Sequence, residues 1–256
     1  MGFLGLLERL RRFRAAGGEA AEHRPLEIAD TLHDPVDVLY GVEPLRILIA
    51  PLAGDSTGRA AQHIHDRLAG RLGVSIRFAD RPLTAPAADN MQSVFLSMAL
   101  DLGRRWLKRE TADLLIWGET VTGAPLQKDG PPHVSWRLRF MSLGTPVQPH
   151  GASVSAIERL ELPAHFDDAA GDLVFGTALA AVNVESSEGL RARAALFRPV
   201  LKAAAHYAEG DMLGTVAECA TAQACYGALL LLDGARTGDL KMLERAVVVY
   251  QGALIL

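Results

Sequence analysis

Residues 46–58 read Arg46-Ile-Leu-Ile-Ala-Pro-Leu-Ala-Gly-Asp-Ser-Thr-Gly58, an apolar run that breaks into a polar turn bounded by glycines. The run is short and contains β-branched residues, and Pro51 closes it, which is typical of a buried strand. A helical pattern follows from Arg59 to Leu72, and Gly73 is placed to cap its end. We therefore predict strand, turn and helix in that order, with Asp55, Ser56 or Thr57 capping the helix.

Outward from this unit, strand and helix signals alternate. Residues 74–78 and 112–120 read as strands, and between them a helix repeats Val94/Phe95, Met98, Leu102 and Trp106 at helical spacing. Residues 134–140 alternate strictly between apolar and polar, which predicts a strand with one wet face. The predicted fold is a small mixed α/β sheet of order β-α-β-α-β-β, with helices mainly on one face. Its first strands should be parallel and its last pair an antiparallel hairpin.

The chain changes character at Phe166. An edge strand is expected near 153–162, and four helical patterns follow near 167–183, 190–208, 211–233 and 240–254. Asp239 is placed to cap the last of them. We predict an α/β domain over 46–165 and an all-α domain over 166–256.

The N-terminal 15 residues predict a short amphipathic helix, and 16–45 a tether rich in glycine and proline. Such a helix suits a membrane surface or a partner protein. The anchor candidates are Phe3, Leu6, Leu7, Leu10, Arg11, Arg12 and Phe13.

Composition limits the class of protein. With 49% apolar residues, 22% charged residues and a net charge of −4, the chain reads as globular, and nucleic acid is not an expected partner. Cys219 and Cys225 lie six apart in one predicted helix, so they should be free thiols. The sequence contains no 18-residue apolar run and no secretory signal, so we expect a cytoplasmic protein. A peripheral position at the inner membrane is compatible with this expectation.

Three patterns in the α/β region resemble the domain at the amino terminus of TolB, which also occurs fused to tetratricopeptide repeats in bacterial regulatory proteins. They are Ile47-Leu-Ile-Ala-Pro51 with its Gly-Asp turn, Ala112-Asp-Leu-Leu-Ile-Trp-Gly-Glu119, and Arg137-Leu-Arg-Phe in the strand that completes the hairpin. Leu52 and Trp117 depart from the family's pattern. The resemblance implies a TolB-like fold over about 46–182 and a role in protein–protein interaction.

The C-terminal region resembles tetratricopeptide repeats. Tyr226-Gly-Ala-Leu, Asp233-Gly and the helix from Leu243 to Leu254 match a boundary between repeats, where small residues allow close packing and Tyr250 fills a gap. Because the last helix is too apolar for a capping helix, we expect it either to precede further repeats or to dock on something else. Its partner-binding candidates are Leu243, Val247, Tyr250 and Leu254.

One segment indicates ligand binding or catalysis. The turn Gly54-Asp55-Ser56-Thr57-Gly58 precedes a helix and could hold an anion, although its spacing is neither that of a P-loop nor that of a dinucleotide site. The same turn matches a nucleophile elbow, with Ser56 as nucleophile and His150, His165 or His206 as base, but a hydrolase elbow normally follows several strands.

Other polar residues have structural interpretations. His63 and Asp66 share a helical face without further ligands, so we expect solvated residues and no metal site. Glu119 should form a salt bridge at the hairpin end, and Trp106, Trp117 and Trp136 should lie in the core. We expect a non-enzymatic adaptor or regulatory scaffold without a cofactor. Its partners are proteins, and homo-oligomerisation through the C-terminal helices is one form this could take. The alternatives are a small-molecule or nucleotide sensor using the turn, and a serine hydrolase.

Overall fold

The computed structural model describes residues 44–71, 73–84, 92–128, 130–143, 159–182, 201, 205 and 214–255. The strands are β1 Leu45–Ile49, β2 Val74–Phe78, β3 Leu114–Gly123, β4 His133–Ser142 and β5 Leu160–Pro163. The described helices are α1 Arg59–Leu68, α2 Gln92–Arg109, α3 Asp168–Ala181, α4 Val216–Thr237 and α5 Leu240–Ile255. The mixed α/β fold is confirmed. The predicted N-terminal helix and nearly all of the tether lie outside the described residues.

The five strands form one sheet in the order β2-β1-β3-β4-β5. β1 pairs in parallel with β2 and β3, whereas β3–β4 and β4–β5 are antiparallel, as the parallel-then-hairpin pattern predicts. The edge strand β5 falls at the end of the predicted 153–162 segment. On its outer side the Glu161 N–H donates to the Thr221 hydroxyl of α4 at 2.9 Å, so a helix covers this edge.

The prediction that helices lie mainly on one face is wrong for α2. The chain steps from β1 to β2 in one direction and then returns past β1 to β3. Because such crossovers are right-handed, this reversal puts α1 and α2 on opposite faces. Leu48, Leu115, Trp117 and Met141 pack under α2, while α1, α3 and α4 share the core on the other face.

The apolar stripe predicted for α2 is also wrong in part. Trp106 is buried, but Met98 and Leu102 face outward, and the helix packs on the sheet through Ala99 and Gly103 instead. A Cβ on Gly103 would lie 2.0 Å from the methyl carbon of the Met141 side chain and 3.0 Å from Leu115 Cδ2. Close approach therefore selects the small residues of this helix over the large ones.

The α1 helix ends at Leu68, four residues before the predicted end, and the chain turns away through Gly70 at φ +82°. Its last turn is tied to α3, where Arg67 pairs with Asp168 and Arg71 with Asp172.

These pairs match the dipoles of both helices, since cations lie at the end of α1 and carboxylates at the start of α3. Leu45, Trp136, Leu173, Tyr226 and Ala246 belong to one core cluster, so residues on both sides of the predicted 165/166 boundary share a core.

Candidate functional site

The 54–58 turn lies at the carboxyl edge of the sheet, where β1 passes into α1. In doubly wound sheets, a reversal of strand order between β1 and β3 opens a crevice that binds ligands. Here Ala53 fills that position. Its N–H donates to the Gly118 carbonyl at 2.9 Å, and its carbonyl accepts from the Thr120 N–H at 2.8 Å. Backbone pairing therefore continues past the end of β1 and closes the gap between the two strands.

The Asp55 side chain caps the first turn of α1, as predicted, although the N-cap residue itself is Gly58, three positions later. One carboxylate oxygen accepts from the Ala60 N–H at 2.7 Å, and the other accepts from the Thr57 N–H and hydroxyl at 3.0 and 2.7 Å. Burial raises the pKa of Asp55, but these hydrogen bonds outweigh burial and hold it below its ordinary value of 3.8. The turn thus carries its own anion at the helix N-terminus, and an external anion would have to compete with it.

Ser56 is exposed at the tip of the same turn, and no hydrogen bond joins it to a histidine among the described residues. Two of the candidate bases, His150 and His206, lie outside those residues. The third, His165, packs edge-on against His63 and Trp136 instead, with ring centroids 5.7 and 5.4 Å apart. The turn and the histidine are not brought together.

The expectation that His63 is a solvated surface residue is wrong. Its ring packs edge-on against Trp136 and Phe166, and its Nε2 lies 2.8 Å from the Phe166 carbonyl oxygen. The residue faces the start of α3 from the border of the buried side of α1. Asp66 is exposed as expected. Across the described part of the chain, no three histidine, cysteine or acidic side chains are grouped so that they could hold a metal ion.

Glu119 forms the predicted salt bridge, but in the middle of the β3–β4 hairpin. It lies directly opposite Arg137, whose guanidinium contacts Glu119 at 2.8 Å and Glu161 at 3.0 Å. Burial lowers the pKa of Arg137, while the hydrogen bonds to both carboxylates raise it above its ordinary value. Arg159 lies 3.5 Å from Glu161, so two arginines and two glutamates form one charge-balanced row. The row links β3, β4 and β5.

A buried polar cluster was missed by sequence reasoning. The Glu218 carboxylate is fully buried; its Oε1 lies 2.8 Å from His133 Nε2 and accepts from the Ser135 hydroxyl at 2.8 Å. Its Oε2 accepts from the N–H groups of Gly214 and Thr215. The Thr215-x-x-Glu218 pattern before an apolar run is a capping-box signal, and it could have located the start of α4. The cluster fastens that start to β4.

The C-terminal candidates fall on two sides of α5. Gly227 lies against Tyr250, since a Cβ there would be 3.2 Å from the ring, and Gly234 lies against Leu243 in the same way at 3.0 Å. Tyr250 and Leu243 therefore pack inside the α4–α5 pair. Asp239 accepts from the Lys241 N–H at 2.9 Å and caps α5, as predicted.

The outward side of α5 carries an apolar surface. We call it the α5 stripe: Leu240, Val247, Val248, Leu254 and Ile255. Val247 is half-buried, and the other four members are 57, 65, 76 and 85% exposed. Of the four partner-binding candidates, Val247 and Leu254 therefore lie on the stripe.

The anchor candidates between Phe3 and Phe13 lie outside the described residues. No helix in the described ranges is both long and apolar enough to cross a membrane. The chain matches no family model, no curated protein and no solved structure.

Proposed function

We propose that the chain is a non-enzymatic adaptor or regulatory scaffold that binds another protein through the α5 stripe. The observation that carries this proposal is the exposure of four large apolar side chains on one helix. Exposed apolar surface of this kind marks interaction sites in soluble proteins when it is contiguous. Leu240, Val247 and Leu254 follow one another at seven-residue spacing, as do Val248 and Ile255 one position later. The surface therefore runs along the helix.

The inward side of α5 packs against α4, so the outward side is the one that can bind a partner. Ala246 is buried, and Tyr250 closes on Gly227 at van der Waals distance, so α4 covers that side. Glu244 and Gln251 are exposed polar residues that lie between members of the α5 stripe, so the surface is not uniformly apolar. A helix with an apolar seam of its own fits such a surface. A second copy of the chain is one partner of this kind.

The architecture supports the same proposal. The β-α-β-α-β-β order with its terminal hairpin is compatible with a TolB-like domain. The antiparallel α4–α5 pair, closed by small residues, is compatible with a tetratricopeptide-like repeat. A cytoplasmic location, peripheral to a membrane through residues 2–14, belongs to this proposal. The sensor and hydrolase alternatives receive less support, because the Asp55 carboxylate already accepts from the first turn of α1 and Ser56 forms no hydrogen bond with a histidine among the described residues.

Photo-crosslinking tests the proposal directly. A photoreactive residue replaces Val248 in the full chain, and a control carries it at Arg59, which is exposed at the start of α1. We expect a discrete adduct from position 248, either at twice the mass of the chain or with one defined partner, and its loss when Ile255→Asp is added. Absence of an adduct at 248, or the same adducts from position 59, would contradict the proposal.

A further inference from the structure

The outward side of α2 combines apolar residues with cations. Met98, Leu102, Arg105 and Arg109 follow one another at intervals of four, three and four residues, so they lie along one side of the helix. Met98 is 62% and Leu102 37% exposed, although both belong to a helix whose other side is buried on the sheet. Large apolar side chains in water next to cations are typical of helices that lie on a surface.

A further cation lies next to α2 but outside the helix. The Arg81 guanidinium stacks over the Trp106 ring, 5.4 Å from its centroid, so it lies beside the C-terminal half of α2. Residues 79–84 and 96–110 together hold five arginines and lysines against three carboxylates. This excess of positive charge occurs in a chain whose net charge is −4.

Two cations of α2, Arg105 and Lys108, form no ion pair with a described residue. Asp101 lies 3.8 Å from Arg104, and Glu110 lies 2.8 Å from Arg109, so the nearby carboxylates already have partners. Arg105 and Lys108 are exposed, and neither forms an ion pair with any described residue.

We propose that this surface, the α2 face (Met98, Leu102, Arg105, Lys108, Arg109 and Arg81), docks on an anionic lipid surface. Lipid phosphates attract the cations, and Met98 and Leu102 enter the headgroup boundary while the cationic side chains extend to the phosphates. Because the whole chain is negative, an anionic bilayer attracts it only through a locally positive face, which fixes its orientation.

Charge complementarity and shape favour lipid over an acidic protein. The outward side of one helix is convex and has few apolar residues, whereas a protein helix binds best in an apolar groove. A lipid interface adapts to a convex face. The α2 face is separate from the α5 stripe, since α2 and α5 share no residue.

Vesicle sedimentation with the full chain tests the inference. The vesicles contain phosphatidylcholine with about 30% phosphatidylserine, or phosphatidylcholine alone, at about 0.1 M salt. Near an anionic surface each cation is worth roughly fivefold in partitioning, so Arg105→Gln/Lys108→Gln should weaken binding about 25-fold. The matched control, Arg59→Gln/Lys241→Gln, removes two exposed cations from α1 and α5 and should bind as the unchanged chain does.

The outcomes separate the alternatives. Selective loss in the Arg105/Lys108 variant, with an unchanged circular dichroism spectrum, supports docking through the α2 face. Unchanged binding in that variant, or loss only when Arg11 and Arg12 are replaced by Gln, would overturn it in favour of the N-terminal segment. Binding to a polyglutamate peptide but not to vesicles would overturn the choice of lipid.

Discussion

Replacing Glu218 is expected to detach the start of α4 from the sheet. The side chain is fully buried, and its two oxygens are hydrogen-bonded to His133, Ser135 and the N–H groups of Gly214 and Thr215. It thus serves both as the N3 glutamate of a capping box and as the contact that joins the helix to β4. The two roles depend on the same carboxylate.

The expected cost follows from those contacts. Glu218→Ala leaves the Ser135 hydroxyl buried without its acceptor, which costs about 1–3 kcal/mol. Loss of the capping box adds about 0.5–2 kcal/mol. We therefore expect a total loss of about 1.5–5 kcal/mol, a large part of the 5–15 kcal/mol typical of a folded domain. Glu218→Gln keeps the volume but turns one acceptor into a donor, so it should cost about 1–2 kcal/mol.

Urea unfolding followed by far-ultraviolet circular dichroism measures both variants, with Glu244→Ala on the exposed side of α5 as the matched control. In a double-mutant cycle, Ser135→Ala should be much less harmful when Glu218 is already absent, because the two share one interaction. If the free energy of unfolding of Glu218→Ala lies within about 0.5 kcal/mol of that of the control, the buried cluster does not fasten α4 to β4.

Three further predictions concern other parts of the fold. Gly118→Ala should cost roughly 3 kcal/mol or more, because its Cβ would lie 1.9 Å from a backbone carbonyl oxygen of β4. Gly103→Ala meets the flexible end of a methionine and should cost about 1–2 kcal/mol; the reverse order in urea unfolding would contradict this. Asp55→Asn turns one of two accepting oxygens into a donor, so it should cost about 1 kcal/mol at about pH 7. Because the folded-state pKa of Asp55 lies below the unfolded value of 3.8, its contribution is complete above that value and disappears as pH falls through the folded pKa. If the difference in free energy of unfolding between Asp55→Asn and the unchanged chain does not shrink at low pH, this expectation is wrong. Burial raises the pKa of Cys225 to about 12, so a thiol reagent should modify the half-buried Cys219 first and Cys225 only on unfolding; equal rates would argue against it.

Local signals predicted the parts of this fold that depend on neighbouring residues. The second strand begins at Val74 and ends at Phe78, as expected, and Asp55 and Asp239 cap the helices that follow them. A strand's alternation and a cap's side chain act within a few residues, so the sequence shows them directly. Glu119 forms a salt bridge, as expected, but its pairing with Arg137 depends on the register of the hairpin, which the strand signals did not determine.

Long-range packing was harder to predict. In α2, an apolar stripe through Met98 and Leu102 competes with a stripe through Ala99 and Gly103, and hydrophobicity favours the first. The sheet selects the second, since Leu115 and the Met141 side chain occupy the space that larger residues would need. That choice depends on the face of the sheet that α2 covers, and only the strand order determines it.

The candidate site shows the same limit. The polar turn after β1 was the strongest chemical signal, and the structure accounts for it as a helix cap. Glu218 gave only a capping signal, because its partners His133 and Ser135 lie more than 80 residues away in sequence. The α5 stripe was visible as an apolar helix, but its division into a packed side and an exposed side required the position of α4.

If the apolar residues of the α5 stripe serve a partner and not the fold of this chain, replacing them should leave its stability unchanged. The measurement is the free energy of unfolding of Val248→Asp/Ile255→Asp, with Leu243→Asp as the buried counterpart on the same helix. We predict that the stripe variant stays within about 0.5 kcal/mol of the unchanged chain, as surface substitutions do, while Leu243→Asp loses several kcal/mol. A loss of more than about 2 kcal/mol in the stripe variant would mean that the chain itself covers this surface, and the account of α5 as a binding surface would be wrong.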